Sequence, residues 1–392
     1  MQMIASGQNS YWAWAYSLSI FKGFKISKQA IFYRMNAAWV STVKSLLAKT
    51  VSNQACKKLK SDLFKSFCNV WIQDSTCIQL PEALLKKYTG NVASGKQRSV
   101  AKLTIVMNAL SGMCPFMEWG SFTQTEQSLS DTILKVARTG DLIIRDMGYF
   151  VLRVFTQLDE AGIFFLSRWK YKTGIYDVQN GNEINLLKLL GGKTFLDIEV
   201  LCGKDERIKV RLIAVKLSSE QREQRIRKAK AQQRGKTNHS NEYYALLGYI
   251  IFITNVKKSV WNYQQVAEAY RIRWNIEIVF KSWKSGLNIS QLIPQEQQHL
   301  LRTESILYLM LLYISWFLTL IYIPLRFECQ KKGKHLSIIQ SAKWMIINLL
   351  KVIAQNNAID TYKEIIAFCC HDKRRQTNAC QRLLGAKNHI LT

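Results

Sequence analysis

Tyr270, Arg273, Glu277 and Lys284 lie in one stretch, Tyr270 to Lys284, that contains neither Gly nor Pro. Its period is helical. At ~100° per residue the four polar residues fall within an arc of ~60°. Ile272, Ile276, Val279, Phe280 and Trp283 occupy a separate arc, roughly opposite. One face of a single helix is therefore expected to be core. The other sets a carboxylate between a phenol and a guanidinium on one side and an ammonium on the other. At a rise of ~1.5 Å per residue, Tyr270 and Lys284 each lie about 10 Å along the axis from Glu277, on the scale of phosphate-to-phosphate spacing. A metal-holding carboxylate flanked by cations that reach neighbouring phosphates is what phosphodiester chemistry requires. The same residues also suit an amphipathic helix with ordinary charges on its solvated face.

Such chemistry needs further carboxylates, and strands to position them. Residues 67–82 read as a strand in which Gln73-Asp74-Ser75-Thr76 interrupts apolar residues. A carboxylate in a buried-looking strand is costly unless a metal or cation compensates it, which favours function for Asp74; a turn former at a strand end is the plainer reading. Strands are expected at 102–110 and 116–122, a short helix at 127–138, and a short buried strand in Asp141–Phe150 that ends at Asp146 and Gly148. A helix at 151–160 and a strand at 163–169 follow. Three strands on short connections form a meander, and a right-handed crossover sets the next strand beside the first. Asp74 and Asp146 are then expected at neighbouring positions of adjacent strands. Gly90-x4-Gly95-Lys96 nearly spells a phosphate-binding loop, but Gln97 stands where Ser or Thr is needed and a strand pattern follows, so it is expected to be a mobile basic loop.

These residues carry a resemblance. Tyr270, Arg273, Glu277 and Lys284 match the Y-x2-R-x3-E-x6-K signature of bacterial DDE transposases of the insertion sequence 4 group, and Asp74 and Asp146 resemble that group's two aspartates. The element order is that of a ribonuclease H fold. The 130 residues between Asp146 and Glu277 are too many for a direct connection, and the group has a mostly β insertion there. Apolar or alternating runs at 174–178, 194–201, 208–215 and 247–254 agree in kind. The resemblance implies that Asp74, Asp146 and Glu277 are catalytic and hold two Mg2+ or Mn2+ ions, and that Tyr270, Arg273 and Lys284 contact DNA. Near the N-terminus Gly23 is expected to break a first helix and Ser27 to cap the next, with a helical period from Lys28 to Ala48. Gly23 to Met35 is similar to the helix-turn-helix-like segment of these proteins, and two packed helices with basic outer faces fit as well.

The composition agrees with a polyanion partner. Of 392 residues, 55 are Lys or Arg and 27 Asp or Glu, a net charge of +28, with no dominant basic amphipathic helix for a membrane surface. Lys216 to Lys236 carries eight Lys or Arg against two Glu, which suits a DNA-contacting arm or a solvated loop. Nine scattered Cys indicate reduced thiols and a cytosolic setting; Cys369-Cys370-His371 with Cys380 lacks zinc-site spacing. The apolar N-terminus lacks a preceding cation and a cleavage site, so a signal peptide is rejected. Ile306 to Leu325 is twenty uncharged residues, long enough to span a bilayer. Its basic flanks on both sides and its place after the Glu277 helix make it a buried core helix instead.

The expected architecture is α/β: a helical DNA-binding region at 1–65, a ribonuclease H-like core at 66–169 and 263–328, a β-rich insertion at 170–262 and a helical region at 329–392. The expected function is cut-and-paste transposition at terminal inverted repeats, on double-stranded DNA of the element ends and target. A homodimer in the DNA complex, a cytoplasmic, nucleoid-associated location and no membrane partner are expected with it. The alternatives are a catalytically inactive transposase-derived DNA-binding protein and a basic membrane protein.

Overall fold

Capping residues set the first three elements of the computed structural model, which describes residues 10–54, 61–232, 239–289, 293, 299–354 and 358–370. The Ser10 hydroxyl accepts from Ala13 N to start the helix Tyr11–Lys22, and Gly23 ends it at φ 73°. Ser27 caps Lys28–Arg34 and Asn36 caps Ala37–Ser52. The one helical period expected from Lys28 to Ala48 is therefore two helices. Asn36 turns extended and its side chain takes Trp39 N at 3.1 Å, which opens a new helix where apolar spacing alone showed no break.

The chain divides into two units. The first comprises Met1–Asp62, Ile72–Thr125 and Trp274–Thr392. Its strands are β1 (Val70–Leu80, which begins in residues of the second unit), β2 (Thr89–Ala93), β3 (Lys96–Asn108) and β4 (Phe116–Ser121). The order is β2-β3-β1, with β4 also on β3. Ser99 to Asn108 are all buried, as in a strand covered on both faces. The expected mobile loop at Gly90–Lys96 is instead a hairpin. Ser94 (φ 52°) and Gly95 (φ 76°) both adopt the left-handed conformation that a tight two-residue turn demands, and Ala93 pairs with Lys96.

Also in this unit, Leu300–Lys331 runs helical for 32 residues, with a π segment at Phe317–Tyr322. Its most apolar window has a mean hydropathy of 2.2 and is 72% buried by protein. Trp119 Nε1 donates to Leu307 O at 3.0 Å, Gln54 Nε2 to Ser315 Oγ at 3.3 Å and Trp316 Nε1 to Thr50 Oγ1 at 3.1 Å. The expected core helix is a helix buried by its own unit.

The second unit comprises Leu63–Trp71 and Glu126–Arg273. Its strands are β5 (Leu142–Arg145), β6 (Phe164–Arg168), β7 (Ile175–Tyr176), β8 (Phe195–Cys202), β9 (Ile208–Lys216) and β10 (Tyr249–Thr254), in the order β5-β6-β10-β9-β8-β7. β5 and β6 are parallel and joined through the helix Leu152–Glu160; β10 is antiparallel to both β6 and β9. The four runs read from the sequence after residue 170 are β7 to β10, and they continue outward from β6 in one sheet. The short helix expected at 127–138 is a tighter 3-10 turn, Ser130–Lys135. The architecture is mixed α/β.

Buried Asp141 secures the entry to β5. It accepts from Asn69 Nδ2 and Trp71 Nε1 at 2.8 Å and from Arg138 N at 2.9 Å, while Leu142 N donates to Asn69 O at 2.8 Å. Trp261 closes the other side, with its indole on Leu63 O at 2.8 Å and its ring against Phe64 and Phe67.

Candidate active site

Asp146 stands at the C-terminal end of β5, whose four residues are all buried. It enters the 3-10 turn Met147–Tyr149 without capping it with its side chain. Its carboxylate faces residues 124 and 127 positions later. The Tyr270 hydroxyl donates to Asp146 Oδ1 at 3.4 Å, and Arg273 Nε lies 3.9 Å from the same oxygen. Tyr270 closes the helix Tyr263–Arg271, which starts at an Asn262–Gln265 capping box, and its ring packs on Phe252 of β10 at 5.2 Å. Burial, and then the neighbouring Asp146 charge, push the Tyr270 phenol well above its ordinary range. The hydroxyl is thus a fixed donor at neutral pH.

The stretch from Tyr270 to Lys284 is not one helix. Ile272 N bonds Ala269 O and Arg273 N bonds Tyr270 O, two i−3 bonds that end the first helix. A second helix, Trp274–Lys281, follows and passes into a π turn, Ser282–Gly286. The single face deduced from spacing is therefore broken between Arg271 and Trp274. Tyr270 and Arg273 are each only 8% exposed. The apolar arc is interior as expected: Ile272, Ile276, Val279, Phe280 and Trp283 are all buried.

Beneath Asp146 lies a cation not singled out from the sequence. Arg145 is fully buried, and its guanidinium donates to Ser130 Oγ at 2.8 Å and to the Ser130 carbonyl. It lies over the rings of Tyr149 and Phe155 at 5.8 and 5.9 Å. Burial lowers its pKa to about 9 against the opposing pull of Tyr149 and Asp131, which leaves it charged at neutral pH. Gly148 makes room for Glu126, because a Cβ there would sit 1.5 Å from Glu126 Oε2. The usable signals were an Arg inside an apolar strand and a Gly two residues after the acid.

In the first unit, half-buried Asp74 lies in β1 and its Oδ1 accepts from Ser75 N at 2.7 Å. Glu277 lies half-buried in the first turn of Trp274–Lys281, where a carboxylate meets the positive end of the helix dipole. Lys284 is half-buried in the π turn beside buried Trp283. Asp146, Tyr270 and Arg273 are thus brought together, whereas among the described residues no three acidic, His or Cys side chains group to hold a metal ion. Each acid by itself is a hard oxygen donor of the kind a divalent cation takes. Asp74, Asp146 and Glu277 offer only carboxylate oxygens, and the Asp146 side chain is 39% exposed. His371 and Cys380, weighed above with Cys369 and Cys370, lie outside the described residues. The basic run at 216–236 includes the helix Ser219–Gln232, which exposes Arg222, Arg227, Lys228 and Lys230 and ties Arg225 Nη1 to Tyr249 O at 2.9 Å.

Residues 67–309 match the family described as Transposase DDE domain. The chain is 26% identical over 338 residues to the transposase for insertion sequence element IS231F of Bacillus thuringiensis subsp. israelensis, covering 80% of this chain and 70% of that one. It is 28% identical over 298 residues to the transposase for insertion sequence element IS1151 of Clostridium perfringens, covering 68% and 61%. A piggyBac transposase in a synaptic complex with hairpin DNA aligns with a TM-score of 0.40 at 11% identity, over 79% of this chain and 59% of that one. A match that takes in Asp74, Asp146, Tyr270, Arg273, Glu277 and Lys284 alike, and spans well over half the sequence, decides the assignment: the chain belongs to the transposase DDE domain family.

Proposed function

We propose that this protein is a DNA transposase that cleaves and rejoins strands at the terminal inverted repeats of an insertion sequence, in the manner of the insertion sequence 4 group. One observation carries the reading. Tyr270 and Arg273 of the Y-x2-R-x3-E-x6-K pattern converge on Asp146, which was singled out separately as the acid closing a buried strand. A helix with a merely solvated face would not turn its phenol and guanidinium inward to one carboxylate. The parallel β5–β6 pair with its helical connection, and the antiparallel β3–β4 pair, support a ribonuclease H-like core at 66–169 and 263–328, with 170–262 inserted and helical regions on either side.

In this proposal Asp74, Asp146 and Glu277 hold two Mg2+ or Mn2+ ions. Bound there, the ions would polarise the phosphodiester and stabilise the attacking and leaving oxygens. The chain's own residues prepare the site. Arg145 fills the space under β5 and fixes the backbone from which Asp146 projects. Tyr270, kept protonated, orients one Asp146 oxygen, and Arg273 balances its charge. Lys284 meets a DNA phosphate near the cut, whereas Tyr270 and Arg273, each 8% exposed, reach the entering strand only at the Asp146 carboxylate they flank. The DNA is double-stranded, at element end and target. The complex is taken as a homodimer acting in the cytoplasm.

The test is a plasmid carrying the inverted repeats that flank the gene, incubated with the full chain and Mg2+. Release of the intervening segment is expected. Binding of the repeats without release at any Mg2+ or Mn2+ concentration would instead mark an inactive DNA-binding derivative.

A further inference from the structure

Residues 10–54 contain six Lys or Arg and no Asp or Glu. Within them the helix Tyr11–Lys22 buries Ala13, Trp14 and Ala15 and turns Trp12 (65% exposed), Tyr16 (57%) and Ile20 (66%) outward at successive fours. The Trp12 and Tyr16 rings lie parallel within 5°, their centroids 5.4 Å apart. Beside them is an open groove of about 560 Å3, lined by Trp12, Tyr16, Ser19, Phe24, Lys25 and Lys28 among others. The groove has a fixed wall. Ser19 Oγ accepts from Ile26 N at 2.7 Å and donates to Ala15 O at 2.7 Å, which ties the turn after Gly23 to the helix.

An aromatic shelf in so basic a surround selects its occupant by charge. A second copy would bring this cationic segment against itself, whereas a polyanion is attracted. Duplex DNA offers phosphates but hides its base faces in the stack. An unpaired base exposes a face that a Trp or Tyr ring can cover, and stacking of this kind tolerates any sequence. We propose that the groove holds an unpaired base of a DNA strand, stacked on the Trp12–Tyr16 shelf, with Lys25 and Lys28 at the flanking phosphates. The proposal rests on DNA as the partner and is independent of the three carboxylates.

The experiment measures Kd of the full chain for an oligothymidine strand and for a duplex of equal length, across a salt series. Trp12→Ala should weaken single-strand binding at least five-fold, the low end of what one stacked base contributes, and leave the duplex Kd within two-fold. Its salt slope should stay that of the wild type, whereas Lys25→Ala should flatten the single-strand slope by about 0.7. Trp12→Phe should recover most of the affinity. A strand containing 2-aminopurine, quenched on stacking, reads the contact in wild-type protein and so does not depend on any variant folding. Equal loss on strand and duplex, no loss on the strand, absence of quenching, or a Trp12→Ala variant whose only change is in self-association would each overturn the proposal. Wild-type protein that binds the duplex but not the strand removes this proposal alone; binding to neither removes DNA as the partner.

Discussion

Replacing Arg273 probes the arrangement around Asp146. At 3.9 Å and an effective dielectric near 20, the gross Coulomb attraction is about 4 kcal/mol. The Asp146 side chain is 39% exposed and the Arg273 side chain 10%, so solvent screens much of it. The coupling should lie between that of a surface pair and that of a buried one, at about 1–2 kcal/mol. Arg273→Met keeps most of the side-chain volume and Asp146→Asn the shape of the acid, so the two singles and the double close a cycle. Hydrogen exchange at Leu142–Arg145 and Tyr263–Arg271 gives local opening free energies without assuming that a two-unit chain unfolds in one step. The cycle should show a coupling of about 1–2 kcal/mol that high salt reduces without abolishing, because the Arg273 side chain is buried while Asp146 is partly open to solvent. A coupling below about 0.3 kcal/mol, or one abolished by salt, would refute the claim that Arg273 balances Asp146.

Further outcomes follow from other contacts. Lys284→Ala should flatten the log–log salt dependence of binding to element-end DNA by about one unit, and an unchanged slope would mark Lys284 as a solvated charge. Among the described cysteines, iodoacetamide should label exposed Cys68 first and spare Cys114, which is fully buried, and Cys329, whose thiol burial pushes up to about 12; mass spectrometry of timed samples would show any inverted order. The protein expressed without detergent should stay in the supernatant on high-speed centrifugation in high salt, because Leu300–Lys331 is covered by its own unit; recovery only from alkali-resistant membranes would contradict that.

Burial patterns made the strands legible. Alternation or unbroken apolar runs marked β1, β5, β6 and β8 to β10, and the helix caps Ser27 and Gly23 wrote two boundaries in plain view. The misread places have identifiable causes. Asn36 sits inside a continuous helical period, and its power to begin a new helix lies in its side chain rather than its hydropathy. Ser94-Gly95 was a turn signal overshadowed by a near-match to a phosphate loop. The break at Ile272–Arg273 has no local signal at all. It coincides with Tyr270 and Arg273 turning to Asp146, a tertiary contact that no helical wheel contains. Arg145 escaped for a similar reason. Its partner Ser130 and its covering rings Tyr149 and Phe155 meet only once the second unit has folded.

If Asp74, Asp146 and Glu277 perform metal-dependent cleavage while other residues supply DNA affinity, mutation should separate cleavage from binding. One measurement tests this directly: cleavage of a labelled terminal repeat by wild type and by Asp74→Ala, Asp146→Ala and Glu277→Ala, with Mg2+ and with chelator, alongside Kd for the same DNA. Cleavage is expected from wild type in Mg2+ only and from none of the three variants, with Kd values within a few-fold of one another. A variant that cleaves at the wild-type rate in Mg2+, or wild-type cleavage undiminished by chelator, would contradict it.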